Sequence, residues 1–138
     1  MKPRPLALIA GAVFALSFFL PAYSGSTGFK CFLFCWGLLC DFQGQSNGEP
    51  FAWLYYSAFV PTNLLFAATF ALGLATPRFF HARLLLTVAA FLHVLSWLAL
   101  NASEESLLTL EPGYFAWLLA YLLLFASLVL ENKKKSAA

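Results

Sequence analysis

The sequence predicts an all-α membrane protein: four transmembrane helices in an antiparallel bundle, with both termini on the cytoplasmic side. A short interfacial or re-entrant segment is expected in the first outer loop. Three observations predict this. First, 62% of the 138 residues are hydrophobic and 10% are charged, too little polar character for the surface of a soluble domain. Second, the charges avoid four long runs, 5–29, 50–77, 84–103 and 112–130. Each run approaches or exceeds the roughly 20 residues that cross about 30 Å of hydrocarbon. Third, the basic residues segregate to one side of a chain threaded four times.

The spans are expected near 5–23, 51–76, 79–100 and 113–130, with an outer loop over 24–50, all in one domain. Lys2 and Arg4 precede the first span, Arg78 and Arg83 lie at the turn between the second and third, and Lys133, Lys134 and Lys135 follow the fourth. The opposite side carries Asp41, Glu49, Glu104, Glu105 and Glu111, with Lys30 as its one base. The positive-inside rule then places both termini in the cytoplasm. A net charge of +2 gives no footprint for a nucleic acid. The basic start, the apolar run and Ala22-Tyr23-Ser24 before Gly25 also fit a secretory leader. Losing it would leave three spans and break the charge pattern, so retention is expected.

In the first span Ala7, Gly11 and Ala15 recur every fourth residue, as do Ala67, Ala71 and Ala75 in the second. Small residues at that spacing let membrane helices approach closely. Pro61 interrupts the second span and is expected to kink it. The tight "ATPRFFHAR" turn makes spans two and three antiparallel neighbours, with His81 at the inner boundary. Glu111-Pro112-Gly113 punctuates the chain before the fourth span. Tyr114 and Trp117, with Trp53, Tyr55 and Tyr56, are expected as an aromatic belt at the outer interface. The three lysines near the C-terminus suit anionic lipid.

The outer loop divides into "SGSTG", "KCFLFCWGLLC" and "DFQGQSNGEP". The polar flanks read as loops. The apolar middle is too short to span and suits a helix lying against the outer end of the bundle. Cys31, Cys35 and Cys40 have too few partners and the wrong spacing for a metal site. A disulfide or a packing role is left. Cys31 and Cys35 sit too close along one helix for good bridge geometry, so any bridge would involve Cys40. The C-x3-C spacing, with no cysteine in the second outer loop, also departs from quinone-reducing thiol oxidases. "WGLLC" resembles part of the claudin W-GLW-C-C signature. Here the loop is shorter, the second tryptophan is missing and the cysteine spacing differs, so no claudin function is carried over.

Three polar residues fall near mid-membrane: Asn63, His93 and Tyr121. Polar groups there are costly. They are expected either to line a proton-sensitive cavity as one hydrogen-bonded cluster or to join helices. No carboxylate accompanies them inside a span, which favours the joining role. No nucleophile–base pair, phosphate loop or HExxH motif occurs, so neither an enzyme nor a cofactor is expected.

"LPAYSG", "WGLL" beside a cysteine, "FAWL" and "GYFAWL" together make the chain similar to a loosely defined group of short four-helix bacterial inner-membrane proteins. That resemblance implies topology and location, and no activity. The function expected is an oligomeric or accessory subunit, a homo-oligomer or the companion of a larger membrane protein within the lipid bilayer. An immunity-type protein blocking a pore-forming toxin and a small channel built on the Asn63, His93, Tyr121 layer are the alternatives. An enzyme or carrier acting on lipid, with the aromatic outer loop as its lid, is the remaining dissent.

Overall fold

A computed structural model of the chain describes residues 3–40, 50–75, 79–103 and 109–136. Lys2, Asp41, Glu49, Thr76, Arg78, Glu104 and Glu105 lie outside the described residues, as do the side chains of Arg4, Lys134 and Lys135. The fold is all-α apart from one small hairpin. In chain order it comprises α1 (Pro3–Ser17), β1 (Pro21–Tyr23), β2 (Ser26–Thr27), α2 (Gly28–Cys40), α3 (Pro50–Ser57), α4 (Phe59–Ala75), α5 (Phe80–Ser103) and α6 (Pro112–Ser136). Among the described residues three helical stretches, Pro50–Ala75, Phe80–Ser103 and Pro112–Lys133, are long and apolar enough to cross a membrane. Large side chains such as Phe19 (77%), Phe51 (86%) and Leu85 (69%) stand exposed, which suits lipid rather than water.

Helices α1, α4, α5 and α6 run antiparallel to their neighbours, as the contacting pairs show. Phe14 stacks on Phe66 at 4.0 Å between ring centres, and Gly11 faces Phe70, whose ring an added methyl group would strike. Gly73 lies against Arg83, while Phe59 stacks on His93 at 4.3 Å. Besides Gly11, the small residues buried in the core lie outside the expected rows. Ala10, Ala90 and Ala120 are buried in the core beside Phe66, Val94, Tyr121 and Leu124. Of the rows, Ala7 and Gly11 are half-buried, and Ala15, Ala67, Ala71 and Ala75 are exposed.

The first element ends earlier than expected. After Ser17 the chain tightens, with Phe18 N–H donating to Ala15 O and Phe19 N–H to Leu16 O, the three-residue spacing common at helix ends. The carbonyls of Phe18 and Leu20 then accept Phe29 N–H and Gly28 N–H at 2.9 and 3.0 Å. These are donors of the first turn of α2, which would otherwise lack partners. Gly28 is required by this approach, since a Cβ there would overlap Ser17 O. Thr27 adds a side-chain cap, its Oγ1 accepting Lys30 N–H at 3.4 Å.

"SGSTG", read as a loop, is a two-residue hairpin. Ser24 and Gly25 both have positive φ, 49° and 78°, the pattern of a primed turn between antiparallel strands. Its outer edge pairs with the connection before α6: Ser24 N–H donates to Thr109 O and Glu111 N–H to Ala22 O. Glu111 Oε2 accepts Gly25 N–H at 2.7 Å. The hairpin and the connection before α6 are thereby joined.

The stretch Pro50–Ala75 is interrupted at Ala58, between α3 and α4, although Ala58 N–H and Thr62 N–H keep their helical bonds to Leu54 O and Ala58 O. Pro61 lacks the N–H that would reach Ser57 O, and its ring crowds that carbonyl. Arg83, grouped above with the turn, sits inside α5 at 4% exposure and pairs with Glu131 of α6 at 3.4 Å. Its guanidinium fills the space left by Gly73. A buried cation needs a partner, and α6 supplies one because it continues past residue 130 to Ser136.

Candidate functional site

Two places hold the residues of interest: the middle of the bundle and a cavity at the end where α2 lies. In the middle, Asn63, His93 and Tyr121 come close but do not bond to one another. They are tied through Thr62 and Trp117 instead. Thr62 Oγ1 donates to Ala58 O at 2.8 Å. With its one proton so directed, it accepts from His93 Nδ1–H at 2.8 Å, which assigns the imidazole tautomer. Tyr121 Oη donates to the Thr62 carbonyl at 2.9 Å. Asn63 Nδ2 donates to Phe59 O, and Asn63 Oδ1 accepts Trp117 Nε1–H at 2.9 Å. His93 Nε2 is buried with no hydrogen-bond partner among the described residues. The sequence reading missed Thr62 as the hub. The available signal was its place beside Pro61, one turn of helix from Ala58.

The aromatic belt expectation is corrected for Tyr114 and Trp117. Both turn inward because their polar ends find partners there. Tyr114 is buried and its hydroxyl donates to Val94 O at 2.8 Å. Tyr55 Oη donates to Ser96 Oγ, which donates to His93 O. Trp53 Nε1–H caps the end of α2 through Leu38 O at 2.6 Å. His81 is exposed in the first turn of α5.

The cavity, about 530 Å³, lies beneath α2. Its walls come from α1, the hairpin, α2, α3 and the nearby ends of α4, α5 and α6. Phe18, Phe59, Trp97, Tyr114 and Trp117 make it aromatic, and Asn63 reaches it from the mid-depth layer. Lys30 lines the cavity from an exposed position. Cys31 and Cys35 line it from α2, half-buried and unbridged, while Cys40 is exposed at the helix end. Burial raises the Cys35 thiol to about 11, with neighbouring Cys31 adding to the shift. Burial also raises Cys31, against the opposing effect of a backbone hydrogen bond. Neither is an activated nucleophile. Among the described residues no group of three or more His, Cys, Asp or Glu could hold a metal ion. No family model matches the chain, and no curated protein or solved structure is significantly similar to it.

Proposed function

We propose that this chain is a small integral membrane protein that crosses the bilayer four times and works through helix contacts, as an oligomeric or accessory subunit. The observation that carries this reading is the outward direction of Ala67, Ala71 and Ala75 on α4. The chain's own helices do not cover that row. Small residues gain little against fluid lipid and much against another helix backbone. A channel draws less support, because Asn63, Tyr121 and His93 Nδ1 bond to protein groups.

In this reading α1 and the turn after it make the first crossing, although the helix itself rises only about 22 Å at 1.5 Å per residue. Both termini are cytoplasmic, on the strength of Lys2, Arg4, Arg78, Lys133, Lys134 and Lys135. Arg83 drops out of that argument because it is neutralised by Glu131. The bacterial inner membrane is the setting implied by the resemblance described above.

The test is native mass spectrometry after mild-detergent extraction from host membranes. A homo-oligomer or a larger partner at fixed ratio is expected. Ala71→Leu, which alters only an exposed position, should shift the population towards monomer. A wild-type chain that runs as a bare monomer would overturn the reading.

A further inference from the structure

We propose that the cavity beneath α2 binds a single-chain anionic amphipath, a fatty acid, with its hydrocarbon chain among the aromatic rings and its carboxylate at Lys30. This goes beyond the subunit role above and stands on separate observations.

The first is size. About 530 Å³ falls within the roughly 300–1,000 Å³ of small-molecule sites and suits one chain rather than the two of a phospholipid. The second is the chemistry of the wall. Its deep part is made by rings, among them Phe18, Phe59, Trp97 and Trp117. The polar groups there are already engaged: Ser17 Oγ donates to Phe14 O, and the Asn63 amide is held by Trp117 and Phe59. Sugars and nucleotides need several free hydrogen-bonding groups in the wall, so this interior selects hydrocarbon. The third is charge. Among the described residues Lys30 is the one cationic residue lining the cavity, and it is exposed. Glu111, on the connection before α6, accepts Gly25 N–H through Oε2, so its carboxylate is partly engaged, although its charge still reaches Cys31. A lysine stem lying along apolar surface with its ammonium in water is the usual partner for a headgroup at a membrane interface.

Diazirine-tagged palmitate, photolysed with the full-length protein in phosphatidylcholine nanodiscs, tests this. Adducts are expected on cavity residues such as Phe18 and Trp117. Excess untagged palmitate should compete for them about tenfold more effectively than hexadecanol, which has the same chain without the charge. Lys30→Gln, at an exposed position, should lower labelling by palmitate about five- to tenfold and leave labelling by a tagged alcohol unchanged. Cys35→Trp, which fills the cavity from α2, should abolish labelling by both while circular dichroism remains that of the wild type. Adducts spread over lipid-facing residues such as Leu64 and Leu85, without competition, would overturn the proposal. So would equal competition by acid and alcohol, or indifference to Lys30→Gln.

Discussion

Thr62 joins α4, α5 and α6 through two oxygens: its hydroxyl receives His93 Nδ1–H and its carbonyl receives the Tyr121 hydroxyl. The two contacts differ in what their loss leaves behind. Thr62→Val strands a buried imidazole donor, at a cost of about 1–3 kcal/mol. Tyr121→Phe removes a donor from a carbonyl, costing about 0.5–1.5 kcal/mol. Unfolding in detergent should rank Thr62→Val as the more damaging, with Thr62→Ser near wild type. Equal losses would remove Thr62 from the centre of the network. Cys35 gives a second prediction at this scale. Its folded-state value, about 11, lies above the ordinary 9.0, so the folded state holds the proton more tightly. The associated stability is complete below pH 9 and is lost as pH rises towards 11. In Cys31→Ala/Cys40→Ala protein the contribution of Cys31 is gone and that of burial remains, so iodoacetamide should modify the remaining thiol slowly at pH 8 and progressively faster above pH 9. A rate that levelled off near pH 9 would contradict burial.

At the scale of elements, the junction between α1 and α2 is an exchange of unsatisfied ends. Carbonyls just beyond α1 accept the first N–H groups of α2, so neither helix end is left without partners. The junction depends on Gly28, where a Cβ would meet Ser17 O. Gly28→Ala should destabilise the protein by about 1–3 kcal/mol, as overpacking does. Amide exchange should quicken in α2 more than in α5. Uniform quickening would show that α2 does not depend on the junction. The break at Ala58 was legible from Pro61, because the lost donor and the ring clash are local. The hairpin was partly legible, since Ser-Gly favours a turn. Its pairing with Thr109 and Glu111 was not, because that partner lies more than 80 residues away.

On the scale of the whole molecule, Arg83 and Glu131 tie α5 to α6 at the end opposite the cavity. Losing Glu131 leaves the buried Arg83 guanidinium without this ion pair, which costs about 3–5 kcal/mol. Glu131→Ala should therefore lower the thermal midpoint clearly, and the exchange Arg83→Glu with Glu131→Arg should recover part of the loss. Failure of the exchange to recover anything would point to the space beside Gly73 rather than to charge. The sequence reading placed Arg83 with the turn because charge predicts depth only on average. A guanidinium one turn into a helix is drawn inward only when a facing glycine makes room and a facing carboxylate neutralises it.

What the sequence by itself determined was the class of fold and the medium. Long charge-free runs demand backbone bonds satisfied within helices, and that demand is local. Helix positions followed to within a turn or so, except where α1 stops at Ser17 and gives way to the hairpin and where α6 runs on past 130 to Ser136. Asn63, His93 and Tyr121 were recognisable as polar groups at similar depth for the same reason. Only the tertiary structure decided whom they bond. Their partners, Thr62 and Trp117, follow from the rotation of each helix about its axis, which is set by packing against several neighbours at once. The cavity is a tertiary property in the same sense. The hairpin, α2 and parts of five other helices line it together, and no stretch of sequence contains that space.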